Sequence, residues 1–188
     1  MADAVIDLVM SDVSDTTDFC RLYAEYCRRI RSLVIRLGVA PGDAEDALQE
    51  TFVVAWRRRS SLRDPNAIVP WLNAIAVRVA ASTRRRAWAR KLVGLESVEE
   101  PAELTTPLSV LESHRARQLV YGALDGIPNK KRTVFILFEL QGMTGQEIAE
   151  TVGCPLKTVW TRLFHARREF LARVAAIDSA TSRHEKAG

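Results

Sequence analysis

The chain has 188 residues, 47% of them hydrophobic, which supplies core material for one ordinary domain or two small ones. Its net charge is only +4, but 27 Lys and Arg against 23 Asp and Glu are set out in separate blocks, and how they are distributed says more than the sum. Three cysteines without a C-x-x-C pair exclude a disulfide framework, and no apolar run reaches membrane-spanning length, so a cytoplasmic protein with no direct membrane insertion is expected.

Residues 1–16 hold Asp3, Asp7, Asp12 and Asp15 and no base, and are expected to form an acidic, disordered tail. Phe19, Leu22, Tyr23, Tyr26, Ile30, Leu33, Val34 and Leu37 then recur at steps of three and four, which predicts an amphipathic helix over 17–37 ended by Gly38. Pro41 and Gly42 turn the chain into a second helix, DAEDALQETFVVAWRRR, whose inward stripe is Ala44, Leu48, Phe52 and Ala55. The segment SSLRDPNAIVP is a loop broken by Pro65 and Pro70. A third helix follows, burying Leu72, Ile75, Ala76 and Val79 and ending in the basic tip Arg84 to Arg86.

From 92 to 112 there are five Glu and no base, with Pro101 and Pro107, so 92–110 reads as a flexible acidic linker. Helical pattern resumes near Leu108, runs to Leu124, breaks at Ile127-Pro128, restarts in NKKRTVFILFEL and closes at Gly142. No strand alternation occurs. The expected fold is all-α, with two small helical domains at 17–91 and 111–176 and a tail at 177–188.

Thr144 followed by Glu147 is a capping box, Gly153 permits a sharp corner and Pro155 suits the first turn of the next helix. This is a helix-turn-helix. In its second helix Leu156, Val159, Leu163, Ala166 and Phe170 fall in one arc at ~100° per residue and make the core face. The opposite arc carries Lys157, Thr161, Phe164, His165 and Arg168, with Thr158, Trp160 and Arg162 on its shoulders. A solvated face is the bland reading. An outward Phe among cations and hydroxyls favours major-groove DNA instead, where cations meet phosphates and guanine edges and apolar groups meet the thymine methyl.

The second helix of the first domain also has an outer arc, Asp46, Gln49, Glu50, Val53 and Arg57. An acidic face with an exposed apolar centre suits docking on a basic partner helix, although a plain solvated face is the alternative. The stretches GDAEDALQETFVVAWRR, WLNAIAVRVAASTRRR and LDGIPNKKRTVFILFELQGMTGQEIAETVGCPLKTVWTRLFHARREF, in that order over residues 17–175, resemble the bacterial sigma factors of the extracytoplasmic-function (ECF) subfamily of the sigma-70 family. These are short, two-domain, non-enzymatic initiation subunits of RNA polymerase.

The resemblance implies that Asp46, Gln49, Glu50 and Val53 grip the clamp helices in the largest subunit of core RNA polymerase. It also implies that the loop receives an unstacked base of the promoter minus-ten element, with Arg63 and Asn66 as loop contacts and Asn73, Arg78, Arg84, Arg85 and Arg86 handling nearby backbone and bases. The helix from Pro155 would read the minus-thirty-five element, and an anti-sigma factor is an expected partner. The chain departs from the family pattern at Arg78, where Asn is common, at Ser82, where Asp is frequent, and at Trp160 and His165, where Arg or Lys is common. An autonomous helix-turn-helix regulator and a sigma mimic that titrates an anti-sigma factor are the rival readings. His114 and His184 lack neighbours at ligand spacing and no phosphate loop or nucleophile motif occurs, so no metal, cofactor or catalytic residue is expected.

Overall fold

A computed structural model of the protein describes residues 2–62, 64–92 and 119–185. Most of the expected linker, the resumption of helix at Leu108 and the loop residue Arg63 lie outside the described residues. The elements are α1 (Ala2–Arg36), α2 (Ala44–Arg57), α3 (Ile68–Leu92), α4 (119–125), α5 (Asn129–Leu140), α6 (Gly145–Val152) and α7 (Leu156–Glu185), with short 3-10 turns at Pro41–Asp43, Arg59–Ser61 and Pro65–Ala67. There is no strand among the described residues.

Two boundaries differ from expectation, both for the same reason. The backbone is helical from Ala2 rather than from residue 17, and α7 runs to Glu185 rather than ending near 176. Neither segment contains a Pro or a Gly, so nothing in the sequence stops the helical hydrogen-bond ladder once it is nucleated by the packed part.

In the first half, α1, α2 and α3 pack on one another through Ile30, Leu33, Val34, Leu37, Ala44, Leu48, Phe52, Leu72, Ile75 and Ala76, all 3% exposed or less. Edge-on aromatic contacts extend this core towards the α1 N-terminal side: Phe19 meets Trp56 at 4.9 Å and Tyr23 meets Phe52 at 4.7 Å between ring centroids. α1 stops at Gly38, whose φ of +88° a residue with a Cβ would adopt only under strain. Across that corner the Arg84 guanidinium of α3 donates to the Leu37 carbonyl, one of the acceptors that a helix end leaves unsatisfied.

The second half is organised by α5 and α7. Phe135 stacks on Phe170 at 4.8 Å, and Val134, Val159, Leu163 and Ala166 are 1% exposed or less. Ion pairs Lys131–Glu169 and Arg167–Glu139 flank this seam at 2.5 and 2.6 Å. α5 is regular to Phe135 and π-helical over Ile136–Leu140, where the Gln141 amide donates to Ile136 five residues back. The extra residue in that turn lets Ile136 and Leu137 both point inward and brings Met143 into the core at 4% exposure. Arg132, 4% exposed, donates to the Leu124 carbonyl at 2.6 Å and to Asp125 at 2.9 Å, tying the end of α4 to α5.

The two halves pack together. α3 lies against α6, Arg29 of α1 donates to the Gln141 side chain at 3.0 Å, and the buried apolar residues of both halves form one continuous cluster.

The start of α6 follows the expected capping box: the Glu147 amide donates to Thr144 Oγ1 at 3.3 Å and the Thr144 amide donates to Glu147 Oε2 at 2.7 Å. Thr144→Ala removes the reciprocal bonds and should lower stability by ~1 kcal/mol in urea unfolding. An unchanged midpoint would show that the cap carries no weight in holding the helix-turn-helix.

Candidate nucleic-acid interface

The corner between α6 and α7 is built as its residue types dictate. Gly153 has φ +64° and ψ 48°, its amide and that of Cys154 both return to the Ala149 carbonyl, and Pro155 opens α7 by accepting from Thr158 and Val159. On α7, Val159, Leu163 and Ala166 face the core, while Leu156, expected there, is 40% exposed. Leu156 sits at the first turn of α7, beside Gly145 at the start of α6: a Cβ on that glycine would stand 3.0 Å from Leu156 Cδ1.

The opposite face of α7 is open. Lys157, Thr161, His165 and Arg168 are exposed and Phe164 is 58% exposed, with its ring edge-on to His165 at 5.5 Å and the Arg168 guanidinium 5.8 Å from its centroid. Thr161 donates to the Lys157 carbonyl at 3.0 Å, which fixes its rotamer and leaves its lone pairs and methyl outward. On the shoulders, Thr158 is half-buried and Arg162 donates to Cys154 Sγ at 3.4 Å.

Trp160 is divided between two environments. It meets Phe138 edge-on at 5.6 Å and leans over Gly145, where an added Cβ would come within 2.6 Å of Trp160 Cζ2. It is thus a strut that sets the angle between α6 and α7, with about half of its surface left outward.

On α2, Asp46 and Gln49 are exposed, Val53 is 47% exposed, and Glu50 lies partly covered beside them. Sequence reasoning treats this acidic face and the basic tip of α3 as independent. Instead they are bonded: one Arg86 nitrogen reaches both Glu50 oxygens at 2.9 and 3.0 Å as well as Ser82 Oγ at 3.1 Å, and Arg90 reaches both Asp43 oxygens at 3.0 and 3.1 Å. Exposed pairs of this kind add little stability, so their effect is mainly to fix where the charges point. Asp46 is left as the acid of that face with no such partner among the described residues.

The residues expected at the minus-ten element do not form one surface. Asn66 is on the loop, its amide and side chain both donating to Asp64 Oδ1 at 2.9 and 3.1 Å, while Trp71 pins the loop base by donating to Ser61 Oγ at 3.1 Å. Asp64 and Ser61 are organising residues that the sequence reading passed over; the Asp-x-Asn spacing of an Asx turn is the signal that identifies the first of them. Arg85 and Arg86 are exposed at the α3 tip.

Asn73 is a correction. It is fully buried at the junction of the halves, where its amide nitrogen reaches only Met143 Sδ at 3.7 Å and its Oδ1 has no partner among the described residues. It lies one step beyond Leu72 on the inward face of α3, so covering by α6 closes over it. Arg84 is likewise turned inward to the Leu37 carbonyl, and burial together with the neighbouring Arg132 charge lowers its pKa. Arg78 is exposed and lines both the cleft between the halves and a cleft against α2 with Glu50, Arg58 and Ser82. Trp56 and Trp71 pack against the first half, whereas Trp88 is 65% exposed.

Comparison with known proteins places two family models along the chain. The family model of sigma-70 region 2 matches residues 22–90 and that of sigma-70 region 4 matches residues 117–170. The ECF RNA polymerase sigma-E factor of Escherichia coli K12 is 32% identical over 179 residues, covering 89% of this chain and 93% of that protein. The protein of the same name from Haemophilus influenzae is 30% identical over 163 residues, covering 81% and 85%. Among solved structures, the sigma factor RpoE of Bartonella quintana, determined with the anti-sigma factor NepR, superimposes with a TM-score of 0.64 at 23% identity, covering 84% of this chain and 97% of that one. CnrH, determined with the cytosolic domain of CnrY, gives 0.59 at 22% identity, covering 86% and 90%. At these identities the two structures establish likeness of fold.

Asn73→Leu replaces the orphaned carbonyl with an apolar group of similar size. Because an unsatisfied buried acceptor costs ~1–3 kcal/mol, this change should stabilise the protein by about 1 kcal/mol in urea unfolding. A lower midpoint would show that the Asn73 amide is satisfied in solution.

Proposed function

Because the chain belongs to the ECF sigma factors of the sigma-70 family, we propose that its two helical halves divide the work of promoter recognition between the surfaces described above. The protein is an initiation subunit that joins core RNA polymerase, recognises promoter DNA and promotes melting. In this reading the domain at 17–91 engages polymerase and the minus-ten element, the domain at 111–176 engages the minus-thirty-five element, and both act in the cytoplasm.

The observation that carries the residue assignment is the open face of α7. A Phe that is 58% exposed, framed by Lys157, Thr161, His165 and Arg168 on a doubly capped helix-turn-helix, is costly to leave in water and chemically suited to a thymine methyl and its flanking phosphates. Thr158 and Arg162 flank the contact, and Trp160 sets its angle. On α2, Asp46, Gln49 and Val53 offer exposed contacts to the polymerase clamp helices, with Glu50 held in line by Arg86. Asn66, Arg85 and Arg86 are surface contacts for the minus-ten strand, together with Arg63. Arg78 and Arg84 become available to DNA when α3 is released from α6. An anti-sigma factor is proposed as a further partner, supported by the complexes in which the two structurally similar sigma factors were determined.

Asp46→Lys should abolish capture of the protein by core polymerase while leaving the stability in urea unfolding within about 0.5 kcal/mol, since the residue is exposed and carries no ion pair with the described residues. Retained capture would remove the clamp assignment. In transcription with core polymerase, Lys157→Ala should weaken all promoters and lower the salt slope by about one unit, whereas Phe164→Ala should change the ranking of promoters. Identical effects of both changes would remove the distinction between phosphate and base contacts on α7.

A further inference from the structure

The seam between the halves gathers cations from both of them, and one, Lys130, has no part in the promoter reading. A cleft of about 400 Å³ lies between α3 and the second half, and its polar lining is led by Arg78 and Arg84 of α3, Lys130, Asn129 and Thr133 of α5, and Arg162 of α7. No Asp or Glu lines it among the described residues. Arg78 and Lys130 make no ion pair or side-chain hydrogen bond with the described residues, and Arg162 meets only the Cys154 sulfur. Arg84 is committed through one nitrogen to the Leu37 carbonyl, and stands close enough to Arg132 across the seam for the two charges to oppose each other.

The acids that line adjoining clefts have partners of their own: Glu50, beside Arg78, pairs with Arg86, and Asp43, beside Arg84, pairs with Arg90. Glu147 and Glu150 line the adjoining cleft with Arg78, but the first closes the Thr144 cap and the second accepts from Gln146 at 3.1 Å. Asp125 is paired with Arg132. Like charges gathered from two domains into one concave space raise the energy of the closed arrangement unless a mobile anion joins them. The volume lies in the range of small-molecule sites and is far below what a duplex requires. Lys and Arg are the side chains that hold phosphate, Lys as a point charge and Arg as a planar fork, and the Asn129 amide adds a neutral donor.

We propose that this cleft binds a compact anion bearing two or more phosphate groups, and that the anion bridges the halves by joining Arg78 and Arg84 to Lys130 and Arg162. Since its ligands come from both halves, its binding and the closed arrangement strengthen each other by the same factor. Lys130, Asn129 and Thr133 have no part in the promoter reading, so the two stand or fall separately.

The test is calorimetric titration of the full chain with inorganic pyrophosphate at low salt, with sodium sulfate at equal ionic strength and a short oligothymidylate as parallel arms. One saturable pyrophosphate site is expected, with sulfate much weaker. Lys130→Glu should lower pyrophosphate affinity at least about tenfold, and Asn129→Ala should lower it by a smaller factor, consistent with the loss of a charged and a neutral donor. Lys157→Ala, a cation removed from outside the cleft, should leave it unchanged. Circular dichroism melts establish that each variant is folded, and the Asn129 variant keeps the test decisive if Lys130→Glu does not fold. Pyrophosphate should also shorten the distance between fluorophores on the two halves. Absence of a saturable site, equal loss on Lys157→Ala, or saturable oligothymidylate binding without pyrophosphate binding would each overturn the proposal, the last by assigning the cleft to a nucleic-acid strand. Lys130→Glu should leave transcription with core polymerase unchanged in the absence of pyrophosphate, which separates failure of this inference from failure of the promoter assignment.

Discussion

The C-terminal end of α1 is the joint on which the rest of the architecture depends. A helix end leaves carbonyls without partners, and here the Leu37 carbonyl is met by Arg84, a side chain from the far end of α3 rather than from a local turn. Gly38 lets the backbone leave the helix at once, and the absence of its Cβ makes room for Arg132 of the second half, whose nearest guanidinium nitrogen would stand 2.4 Å from such an atom. One corner therefore ends a helix, locates the tip of another and receives the neighbouring domain.

That joint governs which charges reach the surface. With Arg84 turned inward, Arg85 and Arg86 are displayed and Arg86 reaches back to Glu50 on α2. The acidic and basic faces are consequently registered to each other by two contacts to α3, from Glu50 of α2 and from Asp43 of the turn before it. The same packing covers Asn73 and leaves its oxygen without a partner, a cost of the kind a permanent core avoids. The seam thus places an orphaned carbonyl and two opposed guanidiniums beside the apolar cluster that runs through both halves.

Much of this was legible in the sequence. Leu48, Phe52, Leu72, Ile75, Val159 and Leu163 are buried as their three-and-four spacing requires, and the Thr144, Glu147 and Gly153 signals mark the helix-turn-helix because capping chemistry is local. Phe164 was recognisable as a surface residue for the same reason: helical phase alone places it opposite the core. What escaped depends on contacts between segments far apart. Asn73 and Arg84 have the composition of a nucleic-acid surface, and only the packing of α6 and of the α1 terminus against α3 turns them inward. The π turn at Ile136–Leu140 has no local signature, since its apolar run fits a regular helix equally well. Asp64 lies within reach of a turn rule, since its carboxylate accepts from Asn66 two residues on.

The crowding of Trp160 against Gly145 has a bearing on how specificity is inherited. The indole fills the space a Cβ would need, so position 145 and position 160 behave as a single volume shared by two helices. In a relative that carries any larger residue at 145, the residue at 160 has to shrink or move aside, or α7 has to tilt. Under the proposed promoter reading, a base preference assigned to position 160 therefore transfers between such proteins only together with the residue at 145.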